Sequence, residues 1–448
     1  MAEWEETQVS EFLKERVGRH KPNDPIVKKL KRLDKIDFSG GMHFSDKSSK
    51  TDMIIAKKGD LVISGINVAK GALAVYDGIG DIAATIHYSS YQFDDNKINV
   101  EYFKRFLKSP KFIQLLKDQV KGGIKTEIKP KHLLPLKIDL PDLETQYTIV
   151  SFFQRTENEI GDVSGQITYQ QSLLKQLRQT ILQEAMEGKL TANWRKQNTD
   201  LISGENHAAR LLEQIKTEKE QLLQEGKIKK QKPLPPISED EKPFDIPEGW
   251  IWCRLGNLIK DLPRNGISPK GVPYVTRIRS LKLSATTYGI FNPNEFKYLD
   301  DNVKYDPFYW LKNGDILIQR SNSHEYVGVN VIYNGKDNEF VYPDLMMKIR
   351  ALNALNNNFL HRALSSPCAR NYFRKNAKGS QQSMPKINQK TVVLTPIPIP
   401  PFSEQQAIIE KVDRLMAKID SLEEQVKSRK EQAGQLMQAV LREAFNGG

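Results

Sequence analysis

The chain has 448 residues, 39% of them hydrophobic and 27% charged; that excludes wholesale disorder and predicts two to four domains. Lys and Arg outnumber Asp and Glu by 67 to 55, a formal net charge of +12 that favours a polyanionic partner without proving one. Two distant cysteines, Cys253 and Cys368, exclude a disulfide framework and a four-ligand zinc site. No apolar run approaches the ~18 residues of a membrane span, and the start, MAEWEETQVS, is too acidic and polar for a signal peptide. The expectation is a cytoplasmic protein with no membrane contact.

In chain order, residues 1–140 read as a mixed α/β domain. Short β-rich runs at Met53–Ile55, Leu61–Ser64 and Leu73–Tyr76 are separated by Gly-containing turns, and a short amphipathic stretch follows at Tyr102–Leu107. Residues 141–190 form one long helix after Pro141. Residues 191–248 are a linker with its own amphipathic helix near His207–Gln224, a basic run (Lys227, Lys229, Lys230, Lys232) and the Pro-rich stretch KPLPPISEDEKPFDIPEGW, which predicts a semi-rigid spacer. The basic run reads as a solvated face rather than a phosphate contact. Residues 249–397 form a second mixed domain with β runs at Ile316–Gln319 and Val327–Ile332, and residues 398–448 a second long helix.

The two halves repeat each other. On an offset of 259 positions Pro141 meets Pro400, Gln146 meets Gln405, Ile149 meets Ile408, Arg155 meets Arg414, Leu177 meets Leu436 and Glu184-Ala185 meets Glu443-Ala444, without a gap. Ahead of the helices the offset drifts, but Gly59-Asp60-Leu61-Val62-Ile63 still resembles Gly314-Asp315-Ile316-Leu317-Ile318, and Ser109-Pro110 resembles Ser366-Pro367. Two halves imply a pseudo-twofold internal repeat.

Apolar residues in the second helix alternate steps of four and three: Ile408, Val412, Leu415, Ile419, Leu422, Val426 and, further on, Leu436. Their counterparts in the first helix include Ile149, Phe153, Ile160, Val163, Ile167 and Leu177, and both seams are interrupted by a polar residue at the same place, Gln170 and Arg429. This is the seam of a coiled coil, and the shared interruption suggests that the two helices pair with each other. An antiparallel pair, about 33 residues or roughly 50 Å long, is favoured; packing of each helix on its own domain or on another chain is the alternative. The fold class is thus α+β, two mixed α/β domains separated by a long antiparallel two-helix coiled coil.

Catalytic signatures are missing. No GxxxxGK[ST] loop exists, and the seven histidines show no HExxH or HxE spacing. Asp306-Pro307-Phe308-Tyr309 lacks the second proline of the loop with which amino-methyltransferases hold a flipped adenine, and Pro343-Asp344 lacks the Glu-x-Lys of a nuclease; both read as turns.

Ile397-Pro398-Ile399-Pro400-Pro401 followed by Ser403-Glu404-Gln405-Gln406-Ala407-Ile408-Ile409 resembles the start of the second conserved helix of type I restriction–modification specificity (S) subunits. LPDLETQYTIV resembles a decayed first copy, with Thr145 at the place of Glu404. The Gly-Asp-Ile-Leu strand, the Gln-Gln-Ser-Met-Pro-Lys-Ile loop, and Gly188-Lys189-Leu190-Thr191 with Trp194-Arg195 carry the same likeness. The resemblance implies two target recognition domains that read the halves of a bipartite site in double-stranded DNA. It further implies a helical pair that sets the gap and docks two methyltransferase (M) subunits, with restriction (R) subunits joining the complex. It implies no cofactor in this chain; S-adenosylmethionine, ATP and Mg would belong to the partners, and the chain itself would be non-catalytic. The remaining alternative is a coiled-coil adaptor whose basic domains bind protein or RNA.

Phosphate contacts position such a protein and side chains with bidentate capacity read base edges. The candidates in the second domain are Gln319, Arg320, Asn322 and His324 beside the Gly-Asp strand, with Arg277 and Arg279. In the first domain they are Ser64, Asn67 and Lys70, with Lys121 and Lys125 on phosphate.

Overall fold

The structure is a computed structural model that describes residues 4–119, 128–302, 305–379 and 384–446. The chain divides into two compact units, Met1–Tyr169 with Val426–Gly448 and Gln170–Gln425.

The first unit runs β1 (Glu5–Gln8), β2 (Leu13–Glu15), α1 (Pro25–Lys28), β3 (Lys31–Ile36), β4 (Met42–Ser45), β5 (Met53–Ala56), β6 (Leu61–Ser64), β7 (Leu73–Val75), β8 (Ile82–Thr85), β9 (Tyr88–Phe93), α2 (Val100–Phe106), α3 (Pro110–Gln119), α4 (Pro130–Leu133), β10 (Lys137–Leu140) and the long α5 (Leu143–Met186). Two four-stranded sheets form, in the orders β2-β9-β6-β7 and β4-β3-β8-β5, and β1 pairs with β10. β3 is parallel to β8, while its other neighbour β4 is antiparallel. The core gathers Phe12, Tyr102, Phe103, Phe106, Phe112 and Phe153 with Phe445 from the far end of the chain. The Phe445 ring stacks on Phe153 at 5.7 Å and lies edge-on to Phe106 at 5.8 Å.

The second unit contains α6 (Ala192–Gln197), α7 (Ala208–Gln224), β11 (Ile251–Arg254), α8 (Leu255–Leu258), β12 (Arg264–Asn265), β13 (Ile278–Leu281), β14 (Phe296–Leu299), β15 (Ile316–Gln319), β16 (Asn330–Ile332), β17 (Phe340–Val341), β18 (Met346–Ile349), α9 (Asn357–Ser365), α10 (Pro367–Asn376), α11 (Gln389–Leu394), β19 (Pro396–Ile399) and the long α12 (Phe402–Asn446), which ends in the first unit. Its sheets repeat the first unit's plan: β12-β18-β15-β16, then β14-β13-β17 with β13 parallel to β17, and β11 paired with β19. The duplication reaches single hydrogen bonds. Gln146 accepts from the backbone N of Asn99 (2.7 Å) and donates to the Pro141 carbonyl (2.8 Å); Gln405 accepts from Asn356 N (3.2 Å) and donates to the Pro400 carbonyl (3.1 Å). Asn99 and Asn356 each cap the next helix through their side-chain oxygens. One glutamine per half therefore ties the start of the long helix to the cap of a shorter one.

The long helices run antiparallel within each unit. In the first, the end of α12 lies on the start of α5 through Phe445 and Phe153. In the second, Arg178 near the end of α5 binds Glu423 (3.0 and 2.9 Å), Asp420 and the Met416 sulfur (3.5 Å) in the first half of α12. The Glu423 and Asp420 carboxylates raise the Arg178 pKa despite partial burial.

The seam differs from its expected form. Phe153, Ile167, Leu174 and Ile181 are buried on α5, and Ile408, Val412, Ile419 and Val426 on α12; Ile149, Ile160 and Leu415 are half-buried. The alternate positions Val163 (41%), Leu177 (43%), Leu422 (44%) and Leu436 (52%) are largely exposed. On each helix one seam row is thus buried and the other flanks the contact, unlike an ideal two-helix coiled coil in which both rows are covered. Val440, the next residue on the same period, packs against the first unit's core.

The spacer is also different. Arg254, 4% exposed, donates to the carbonyls of Pro235 (3.2 Å) and Pro236 (2.9 Å) and forms a two-point pair with Glu241 (2.8 and 2.7 Å). That guanidinium holds the Glu241 carboxyl down at about 2. Glu218 on α7 caps the backbone N–H groups of Asn353 (2.9 Å) and Ala354 (3.0 Å). The Pro-rich stretch and the linker helix are thus parts of the second unit's body, because the buried Arg254 guanidinium needs acceptors and the stretch supplies two prolyl carbonyls and the Glu241 carboxylate.

Glu404, with no exposed surface, joins three segments. It accepts from Thr191 Oγ1 (2.6 Å), Arg195 Nη1 (2.5 Å) and Trp250 Nε1 (2.7 Å). Thr191 and Arg195, both in the stretch that carried the family likeness, meet Trp250 on this one carboxylate, whereas Thr145, its counterpart in the first half, donates its backbone N–H to Asp142 as part of a helix cap (2.7 Å).

Candidate nucleic-acid interface

In both domains the Gly-Asp strand is fixed by its aspartate. Gly59 (φ +87°) and Gly314 (φ +85°) take a left-handed turn that other residues rarely adopt. The turn returns the backbone N–H of Lys57 to Asp60 (2.9 Å) and that of Lys312 to Asp315 (2.8 Å). Each buried carboxylate then receives a two-point arginine, Arg16 on Asp60 (2.5 and 2.8 Å) and Arg350 on Asp315 (2.6 and 2.9 Å). Burial opposes ionisation of Asp60, but Arg16, the Lys57 N–H and the Ser90 hydroxyl outweigh it and hold the carboxyl below its usual range. Arg16 follows β2 and Arg350 follows β18, strands at different places in their sheets, so the same bracket is built from different positions. Lys348, deeply buried near Asp315 (3.7 Å), is pushed down to about 8 by desolvation.

The anchored strand ends in a loop, and that loop meets the return of the Gly-containing segment. Ile128 N donates to the Gly65 carbonyl (2.8 Å) in the first domain, and Ile387 N to the Arg320 carbonyl (3.0 Å) in the second. In the second domain Ser321 bridges to Lys386, and Lys386 exchanges two backbone hydrogen bonds with Lys378 (2.9 Å each). Arg320, Lys378 and Lys386 are therefore gathered by backbone geometry at one loop junction, with Lys378, Lys386 and Met384 exposed. Cations placed by fixed loops on a rigid sheet can hold phosphate, and a long Arg beside them can reach a base edge.

Several expected readers are placed otherwise. Gln319 is fully buried: its amide donates to Thr286 Oγ1 (2.9 Å), the Leu283 carbonyl (3.2 Å) and Thr287 Oγ1 (3.3 Å), and accepts from Asn322 (2.8 Å). As the last residue of β15 it points inward and braces the loop. Ser64, the last residue of β6, is likewise buried. The Arg279 guanidinium is held by Glu339 (2.7 Å) and lies over Phe340 (4.7 Å), so it is partly engaged inside the domain. Asn322 is half-buried, with its amide on Gln319 and its carbonyl accepting from Ser323 N (2.8 Å). Arg277 and His324 are exposed, Arg320 half-exposed. In the first domain Asn67 is half-exposed in the turn after β6, and the Lys70 ammonium stands over Phe38 at 5.7 Å. Lys121 and Lys125 lie outside the described residues.

One basic feature escaped the sequence reading. Lys28, Lys29, Lys31, Arg32 and Lys35 lie within eight residues along α1 and β3, opposed in that run by Asp34 alone, and all but Arg32 are exposed. Arg32 donates to the carbonyls of Lys47 (2.6 Å) and Ser48 (3.0 Å), drawing exposed Lys47 to the same side. The clustered charges between Leu30, Leu33 and Ile36 were a readable signal.

Residues 268–431 match the model of the type I restriction modification DNA specificity domain. The EcoEI specificity subunit of Escherichia coli is 30% identical over 274 residues, covering 60% of this chain and 45% of that protein. The EcoAI specificity subunit of Escherichia coli is 34% identical over 279 residues, covering 60% and 44%. The matched stretch thus spans less than half the length of these relatives. A chain solved for the structural basis of complex assembly and conformational transition of the type I R-M system aligns over 99% of this chain and 97% of its own, at a TM-score of 0.65 and 16% identity. The crystal structure of the HsdS subunit from Thermoanaerobacter tengcongensis aligns over the same shares at a TM-score of 0.52 and 17% identity. The likeness to the solved chains extends the agreement in fold over both halves of the chain, and residues 268–431 carry the type I restriction modification DNA specificity domain.

Proposed function

We propose that this chain is the DNA sequence-specificity subunit of a type I restriction–modification complex and performs no chemistry itself. Each sheet domain reads one half of a bipartite target in double-stranded DNA, and the helical pair sets the gap between the halves. The pair also docks two methyltransferase subunits, with restriction subunits completing the assembly in the cytoplasm. S-adenosylmethionine, ATP and Mg are bound by those partners. The observation that carries the reading is the duplicated loop junction. Each domain anchors its Gly-Asp strand on a buried carboxylate–arginine pair and joins the following loop to a second one through the same backbone hydrogen bond. Two equivalent sites on one chain suit a target read in two parts.

The test is a methyladenine map of host DNA, with this chain co-expressed with and without its methyltransferase partner. Methylation at one gapped, two-part motif that requires both proteins is the expected outcome. Equal methylation by the partner alone, or sites without a bipartite motif, would replace this reading with that of an adaptor.

A further inference from the structure

The second unit holds a cavity of about 560 Å³ at the linker, away from the loop junctions. Its wall is apolar, formed by Leu212, Ile215 and Leu223 of α7 with Ile228, Leu234 and Cys253. Burial pushes the Cys253 thiol up to about 11, so this wall stays uncharged. The mouth is cationic: Lys216, Lys229, Lys230 and Lys232 line it, all exposed, with Glu220 as the acidic residue among the lining side chains. Lys219 stands inside, donating to the Gly256 carbonyl (2.7 Å) and to Gln231 Oε1 (3.3 Å), and desolvation lowers its pKa. The return of Ile228–Leu234 beneath α7 builds the cavity: Gly226 takes the left-handed φ of +68°, and the N–H groups of Lys227 and Ile228 close on the Leu222 carbonyl (2.9 and 3.3 Å).

An apolar chamber of this size with a few polar groups at its mouth has the dimensions and lining of a small-molecule site. The charge at the mouth selects among small molecules. We propose that this cavity binds a small anionic amphiphile, with the apolar body against Ile215, Leu223 and Ile228 and the anionic head among Lys229, Lys230 and Lys232. The four lysines were expected to be a solvated linker face; the fold instead places three of them around an apolar opening. Lys219 keeps its carbonyl and amide partners and orients the inner wall.

The test uses the full chain and the fluorescent probe 1-anilinonaphthalene-8-sulfonate, displaced by decanoate, by the uncharged decanol and by polyglutamate. Saturable binding of one probe per chain is expected, with decanoate displacing it at least tenfold better than decanol. The triple variant Lys229→Glu/Lys230→Glu/Lys232→Glu should weaken decanoate at least tenfold and leave decanol unchanged. Leu223→Asp, at a partly exposed position, should weaken both, and unchanged circular dichroism would show that each variant is folded. Equal competition by decanol and decanoate, or wild-type affinity in the triple variant, overturns the proposal. Displacement by polyglutamate as effective as by decanoate also overturns it, since the site would then be a docking groove for acidic protein. None of these readouts depends on DNA recognition, so they stand or fall apart from the methylation map.

Discussion

A carboxylate buried without a cation would be expelled from a fold, and Glu404 is retained because three donors converge on it. Removing it leaves Arg195 and two dipoles facing each other in a dry site. Glu404→Ala should therefore lower stability by ~3–5 kcal/mol in urea unfolding, and Trp250→Phe, which deletes one donor, by ~1–2 kcal/mol. His361 supplies a pH dependence. Burial in the second unit pushes its pKa down to about 4, below the ~6.5 of an unfolded chain. The unfolded state then binds the extra proton between those values, so stability falls as pH drops through that window. Wild type should lose about 2–3 kcal/mol more than His361→Gln between pH 7 and 4.5; parallel curves would show that His361 binds its proton equally in the folded and unfolded states. Residue identity alone foretold little of this. Gln319 and Arg279 carry the right chemistry for base reading, yet Gln319 lies in a strand buried on both faces, and Glu339 with the Phe296 and Phe340 rings holds Arg279 in part. Thr191 and Arg195 were legible as signals, but the carboxylate they share lies more than 200 positions away, and its contact with them was visible only once the chain folded.

At the scale of elements the sequence was more informative. β6 and β15 fall where the β-branched runs end at turn residues, and α7 starts where the amphipathic run was expected to, with His207 Nδ1 accepting from Ala209 N as its cap (3.0 Å). Local hydrogen-bonding and period rules suffice there. The heptad pattern predicted pairing, for which an antiparallel direction was favoured, but it overstated the buried width, because period alone does not state how closely the two rows of the seam approach the partner helix. The spacer was misread for a related reason. Proline and charge describe a stiff, polar segment in isolation, and Arg254, which binds it, lies beyond the segment itself. The gap-setting role of the helices has a direct check. Deleting one heptad from each shortens the pair by about 10 Å, equivalent to about three base pairs at 3.4 Å per step. The methylated motif should keep both half-sites and lose about three bases of gap. Altered half-sites with an unchanged gap would end the ruler idea.

For the whole molecule, duplication is the organising fact, and it was the most legible. The offset of 259 in the helices becomes matched sheet orders, a parallel strand pair in each domain and equivalent glutamine staples. The halves have also diverged in charge: the first carries the Lys28–Lys35 strip, the second the Arg320, Lys378 and Lys386 junction. If the strip lies on DNA backbone, replacing Lys28, Lys29, Lys31 and Lys35 by Gln should weaken binding to all sequences alike. The slope of log affinity against log salt should then fall by about one for each lysine that had neutralised a phosphate. Weakening confined to one half-site's sequence would make the strip a reader, and an unchanged slope would remove it from the interface.

Phe445 sets a condition of another kind. A ribosome builds domains from the N-terminus, and most can finish folding as they emerge. Here the aromatic core of the first-made domain includes a ring supplied from position 445, between Phe106 and Phe153. Its interior stays one ring short until position 445 has been translated, and a message cut before that codon should yield an N-terminal domain less stable by the ~3–5 kcal/mol of a lost buried phenylalanine.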